Sequence, residues 1–260
     1  MDSWLVALLK GLVIVATFSV ILPAAGKSSR FHDKHYKKPY AILNQRAVWL
    51  HAAEKFLNRD DVKQVLMVVA PEDREDFLSK FGANVAILGI DVVDGGARRT
   101  DSVANALKRV RPEIDYVAIH DAARPCIVDE WISKIFSAAE KNGAAIFAVP
   151  VAGTLKRVGP DQTIRATVER NELWEAQTPQ VFRRELIVQA YAECGDLQAT
   201  DDAQLVEQIG QPVTIVPGSP INFKITTRED LRLAEQALKA LPKPKLKNSG
   251  HPFADDDMWR

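Results

Sequence analysis

The sequence predicts an α/β domain: a Rossmann-like, mostly parallel sheet flanked by helices, with a projecting β-arm. Three observations carry this expectation. Short β-branched runs alternate with helix-length amphipathic stretches along most of the chain. A small, glycine-bearing, basic loop, "PAAGKSSRF", follows directly on the first oily run. One segment, from Gly153 to Trp174, breaks the alternation with two short runs around a turn.

The elements read in order. Strands are expected at "FSVIL", Gln64 to Ala70, Val85 to Ile90, Tyr116 to Asp121, Ala144 to Val151 and Pro212 to Gly218. Helices are expected at Val48 to Leu57, Asp73 to Phe81, Thr100 to Val110, Asp129 to Lys141, Arg184 to Tyr191, Asp201 to Ile209 and Arg228 to Leu241, each with apolar residues at i, i+3, i+4 spacing. Between Val151 and Trp174, "TLKRV" and "TIRATV" flank Gly159-Pro160-Asp161-Gln162, which is hairpin chemistry. The expected organisation is an apolar N-terminal extension over 1–17, a main domain over 18–241 with its arm at 153–174, and a disordered tail over 242–260.

Composition narrows the function. The 260 residues carry 34 basic and 34 acidic side chains, so a general nucleic-acid or membrane-surface binder is not expected and any anion chemistry must be local. Two cysteines, Cys126 and Cys194, make neither a metal cluster nor a disulfide framework, which points to a reducing cytoplasm. The N-terminal run is apolar enough to suggest a signal or membrane segment, but Lys10 interrupts it, a positive leading region is missing, and Ser19 to Pro23 reads as a buried strand. Cleavage at Ala24-Ala25-Gly26 is therefore rejected. Residues 1–17 are left as a short helix, an interfacial anchor or a mis-chosen start, with membrane contact the lesser alternative.

In an open α/β sheet ligands gather beyond the carboxyl ends of the strands. Four places qualify. After the first strand, small residues permit close backbone approach, and Arg30, Lys37 and Lys38 supply fixed charge suited to phosphate; a solvated polar loop is the plain alternative. In "VVDGGARRTDSV", Gly95-Gly96 makes room for a base or sugar, while Asp101 and Ser102 could simply cap a helix. In "IHDAARP", Asp121 suits a divalent ion or hydroxyl and Arg124 a phosphate, or the two close the strand end as a buried salt bridge. Lys224 lies in an extended segment before the capping sequence Thr227 to Asp230.

Seven motifs stand in order: "PAAG…R", "K-x-Y", "DGG-x-x-R-x-DSV", "HDAARP", "PV-x-x-T-x-K", "RN-x-LW-x-x-QTPQ-x-F" and "N-x-K-x-T-x-x-EDL". Together they resemble the 2-C-methyl-D-erythritol 4-phosphate cytidylyltransferases, CTP-using enzymes of the non-mevalonate isoprenoid pathway, over about residues 18 to 240. The resemblance implies catalytic roles for Arg30 and Lys38, with Lys37 the fallback for the lysine. It implies positioning of the acceptor phosphate by Arg170, Lys224, Thr154 and Arg124, and CTP contacts from Ala24, Ala25, Gly26, Gly96, Ala97 and Ser102. It further implies Mg²⁺, with Asp121 helping to organise the ion or the acceptor, and a homodimer in which each arm serves its neighbour's site. No role falls to the histidines, and His120 is read as a structural hydrogen-bonder.

Three departures from the family pattern are visible. "GKSSR" lacks a second glycine and arginine, Ala97 replaces a common acidic residue, and Gly153 stands where an aspartate is frequent. Gly153 faces the acceptor alcohol, so ribitol 5-phosphate cytidylyl transfer is the alternative activity. An inert nucleotide-binding scaffold is a further rival, disfavoured because such a protein would be expected to lose charged site residues.

Overall fold

The computed structural model describes residues 15–26, 38–195 and 197–242. Along the chain run β1 (Phe18–Pro23), β2 (Ile42–Leu43), β3 (Arg46–Ala47), α1 (Val48–Leu57), β4 (Val62–Val69), α2 (Arg74–Leu88), β5 (Asp91–Asp94), α3 (Arg99–Leu107), β6 (Tyr116–Ile119), α4 (Asp129–Asn142), β7 (Ala144–Pro150), β8 (Leu155–Val158), β9 (Ile164–Val168), β10 (Trp174–Arg183), α5 (Arg184–Ala192), α6 (Ala203–Gln208), β11 (Thr214–Pro217) and α7 (Arg228–Ala240).

Seven strands form the main sheet in the order β11-β7-β10-β6-β1-β4-β5. Strand β1 pairs in parallel with β4 on one side and β6 on the other. The chain thus winds outward from β1 through β4 and β5, then returns to lay β6 on the opposite side, which opens a crevice at the carboxyl end of β1. Strand β10 runs antiparallel between β6 and β7, while β11 is parallel to β7.

Alternation along β1 explains the two layers. Phe18, Val20 and Leu22 face a core shared with Trp49, Ala53 and Phe56 of α1 and Ile132, Ile135 and Phe136 of α4. Ile21 faces the other side, against Val103 and Ala106 of α3, Ile187 of α5 and Leu205 of α6. Phe18 stacks on Phe136 at 3.8 Å between ring centroids and on Tyr116 at 5.3 Å. Burying an aromatic of this size contributes about 2 kcal/mol, and the apolar stripe of α1 arises from residues 48, 49, 52, 53 and 56 in helical spacing.

Two expectations need correction. Val85 to Ile90 is not a strand: α2 continues to Leu88, because Phe77, Phe81, Val85 and Leu88 form one helical stripe against the core. The strand of that unit is β5, which begins immediately after the expected run, at Asp91. Strand β10, with no counterpart in the sequence reading, occupies the middle of the sheet. Trp174, placed at the end of the arm, instead opens this main-sheet strand β10, while the expected hairpin is present as β8–β9, paired antiparallel from Leu155↔Val168. Leu155, Val158 and Ile164 on it are exposed. No helix among the described residues is long and apolar enough to cross a membrane. Residues 1–14 and the tail from 243 lie outside the described residues.

Candidate active site

The crevice at the end of β1 is a cleft of about 700 Å³ that brings together Ala24, Ala25, Gly26, the Gly95–Arg99 turn, Asp121 and Lys224. Its first wall continues β1: the Ala24 amide donates to the Val68 carbonyl at 2.8 Å, so the chain leaves the sheet edge-on and Ala24 is buried. Arg30 lies outside the described residues, as do Lys27 and Lys37; the Lys38 backbone opens a short 3₁₀ turn to Tyr40.

The second wall is the glycine turn. A Cβ on Gly95 would stand 2.5 Å from the Ala25 Cβ, and one on Gly96 would stand 2.4 Å from the Asp101 Cβ. Both glycines are required by close approach. Gly95 N–H donates to the Val69 carbonyl at 2.8 Å, and Gly96 N–H donates to the Ser102 hydroxyl at 3.0 Å. That hydroxyl donates in turn to the Arg98 carbonyl at 3.0 Å, so Ser102 braces the turn. Asp101 accepts from the Arg98 amide at 3.0 Å, which is the capping role.

The floor is ionic. The Asp121 carboxylate meets Lys224 Nζ at 3.0 Å and Arg124 Nε at 3.5 Å. Burial would push its pKa up, but Lys224, Arg99 and Arg124 outweigh burial and hold it well below the usual carboxylate range. Lys224 is placed by the residues around it. Asn222 Nδ2 donates to the Thr178 carbonyl at 2.8 Å, and Ile225 N–H donates to the Ala123 carbonyl at 2.9 Å. The capping box of α7 closes that segment, with Asp230 N–H donating to Thr227 Oγ1 at 3.1 Å and Thr227 N–H to Asp230 Oδ2 at 2.9 Å.

Arg124 lies beneath the floor, its Nη1 donating to the Asn222 carbonyl at 2.7 Å. Thr154 and Arg170 sit on the exposed arm rather than in the cleft, and Arg170 Nη1 donates to the Ala152 carbonyl. Behind the floor the neutral His120 ring takes its hydrogen bond from Thr178 at 3.2 Å and gives one to the Arg124 carbonyl at 3.0 Å. Sequence reasoning gave no role to Arg99, Thr178 or Asn222. All three fall inside the quoted motifs, so the signal was present, but their partners are distant in sequence.

Metal chemistry can be tested against these donors. No cluster of three or more His, Cys, Asp or Glu able to hold an ion occurs among the described residues. Asp121 is already neutralised by Lys224 and Arg124, which disfavours it as a ligand. Asp121 alone does not make a protein cage for Mg²⁺, and an ion beside it would take most of its oxygens from a bound substrate.

A switch-point crevice walled by small residues and backbone amides, with fixed cations on its floor, defines a Rossmann-like nucleotide-binding protein. A family model described as "IspD: 2-C-methyl-D-erythritol 4-phosphate cytidylyltransferase" matches residues 18–240. The enzyme of that name from Rhodopirellula baltica is 42% identical over 234 residues, covering 86% of this chain and 95% of the relative. That of Syntrophus aciditrophicus is 41% identical over 224 residues, covering 84% and 94%. The solved structure of the Thermus thermophilus enzyme superposes with a TM-score of 0.69 at 31% identity, covering 84% of this chain and 98% of that one. The chain belongs to the 2-C-methyl-D-erythritol 4-phosphate cytidylyltransferase family, and is a nucleotidyltransferase by that membership.

Proposed function

We propose that the protein transfers a cytidylyl group from CTP to 2-C-methyl-D-erythritol 4-phosphate, giving 4-diphosphocytidyl-2-C-methyl-D-erythritol and pyrophosphate, in the cytoplasm. The observation that carries this reading is the single cleft joining the Ala24–Gly26 loop, the glycine turn and the Asp121–Lys224 pair, in a chain of this family. In this reading the Ala24–Gly26 loop and the glycine turn take the base, and the Asp121–Lys224 pair on the same cleft faces the sugar and phosphates.

An oxygen of the acceptor phosphate attacks the α-phosphorus in line, and the bond to the pyrophosphate oxygen breaks. Because a phosphate is ionised at neutral pH, no general base is needed, and the barrier is the approach of two polyanions. Lys224, fixed by Asp121, offers one positive charge to them. Arg30 and Lys38 are assigned to charge developing around the α-phosphate and the leaving group, each contributing on the order of 3 kcal/mol. Mg²⁺ enters as part of the substrate, carried on the triphosphate. Arg170 and Thr154 are assigned to the acceptor phosphate of a second subunit's site, and the exposed apolar residues of the arm favour that homodimer.

The test is pyrophosphate release with CTP and Mg²⁺, with methylerythritol phosphate and ribitol phosphate run in parallel. Faster release with the ribitol substrate would overturn the acceptor, and comparable turnover with ATP would overturn the base. Arg30→Ala and Lys38→Ala should each lower kcat at least ~100-fold with smaller effects on KM. A crippled Lys37→Ala beside a mild Lys38→Ala would move the catalytic lysine by one position.

A further inference from the structure

Arg99 is the arginine of the "DGG-x-x-R-x-DSV" run, and neither the resemblance nor the mechanism above gives it a task. It opens α3 directly behind the glycine turn and lines the cleft. Its guanidinium grips Asp202 with two parallel hydrogen bonds, Nη1 to Oδ1 at 3.0 Å and Nη2 to Oδ2 at 2.6 Å. Asp202 is fully buried, and its Oδ1 also accepts from the Tyr191 hydroxyl at 2.6 Å.

The other end of this clamp is equally fixed. The amides of Asp202 and Ala203 donate to Gln180 Oε1 at 3.0 and 3.1 Å, and Gln180 Nε2 donates to Asp201 at 2.8 Å. Gln180 stands in β10 two residues beyond Thr178, whose hydroxyl accepts from the Asp121 amide at 3.0 Å. One connected set of bonds thus runs from the glycine turn through Arg99 and Asp202 to the strand that holds Asp121. Arg99 also lies close enough to Asp121 to help keep that carboxylate ionised.

A buried ion pair is weak evidence for stability, since a well-packed apolar pair of similar size often serves as well. What a two-pronged arginine–carboxylate contact supplies is geometry. Here the geometry concerns the position of α3, whose first turn carries Ser102 and so sets the Gly96 amide.

We propose that Arg99, clamped by Asp202, is a positioning residue that holds the Gly95–Ser102 turn at the spacing a cytosine requires, and so governs nucleotide affinity and CTP-over-UTP selectivity rather than the rate of attack. This rests on the function proposed above. Arg99→Lys keeps the charge and loses the fork; Asp202→Asn keeps the shape and loses the carboxylate.

The experiment measures Mg²⁺·CTP binding by calorimetry, kcat and KM for both substrates, UTP turnover and the unfolding midpoint. Both variants should weaken CTP binding and raise its KM about 10-fold or more, the scale of a lost charged hydrogen bond, with kcat within about 3-fold and a narrowed CTP/UTP ratio. A lower unfolding midpoint with unchanged CTP affinity would reduce the pair to a structural brace and overturn the proposal. A fall in kcat at constant KM would overturn it too. If both variants fail to fold, Tyr191→Phe removes one donor from Asp202 and should weaken CTP binding about 2- to 5-fold, with no change counting against the idea. A wild-type chain that binds no CTP sinks the functional reading and this proposal together, whereas normal wild-type binding with unaffected variants sinks the proposal alone.

Discussion

Between pH 7 and pH 5 the fold should lose about 2 kcal/mol of stability through one imidazole, that of His120. The ring is fully buried at the end of β6, 5.2 Å from the Phe56 ring. Thr178 Oγ1 accepts from the Asp121 amide at 3.0 Å, so its own proton points to His120 Nδ1 at 3.2 Å, and Nε2–H donates to the Arg124 carbonyl at 3.0 Å. Every hydrogen-bonding position therefore suits the neutral ring. Burial pushes the pKa down from 6.5 to about 4, against the raising effects of the Arg124 carbonyl and Asp121. A depressed pKa means that the unfolded chain takes up a proton near 6.5 which the folded chain refuses until about 4. Stability is thus complete above the first value and drains as pH falls toward the second, by about 3 kcal/mol in all and about 2 kcal/mol by pH 5. Asp121 acts in the same direction only as pH falls through and below its ordinary 3.8, outside this window. His51, lowered chiefly by burial, does act within it, so the measurement must be a difference. Urea unfolding of the wild type and of His120→Gln at pH 7 and pH 5 isolates the ring, since an amide can keep both hydrogen bonds without titrating. The wild type should lose about 2 kcal/mol more than the variant over this interval. Equal losses, or an imidazole seen by NMR to titrate near 6.5, would refute the reasoning.

The close approach at the glycine turn can be tested by Gly95→Ala, whose methyl would stand 2.5 Å from the Ala25 Cβ. It should raise the KM for CTP at least ~10-fold and cost about 1–3 kcal/mol of stability from overpacking; calorimetric CTP affinity equal to wild type would show that the walls can part. The arm can be tested by letting subunits of Lys38→Ala and Arg170→Ala exchange. Shared sites should restore activity to roughly a quarter of wild type, because about half the dimers are mixed and each carries one intact centre. Confirmed exchange without recovery would confine each arm to its own subunit.

Strands with uninterrupted apolar runs, such as β1, β4 and β7, were legible because burial on both faces leaves a β-branched signature. Strand β10 was not. Its first three residues are exposed, Pro179 interrupts the run, and its pairing with β7 breaks between Ala176 and Gln180, which is how the sheet admits a proline there. The run at Val85 misled for the opposite reason: β-branched residues and Gly82 sit in a helix whose packing stripe, not its propensity, decides the outcome. At the site, Ala24, Gly96 and Asp121 were legible because each lies just past a strand, Ser102 because it sits in the first turn of α3, and Lys224 because it shortly precedes the cap of α7. The Arg99–Asp202 pair was not, since its members are 103 residues apart and no local pattern links them.

Because β10 runs against its neighbours, Trp174 at its start stands opposite Pro150 at the end of β7. The Val151 amide donates to the Leu173 carbonyl at 3.0 Å and closes a narrow neck there. Everything from 152 to 172 therefore leaves and re-enters the sheet through one doorway, and no main-sheet pairing depends on what lies beyond it. The arm is a module in the engineering sense: its length and turn can be rewritten while the crevice at the end of β1 keeps its own foundations.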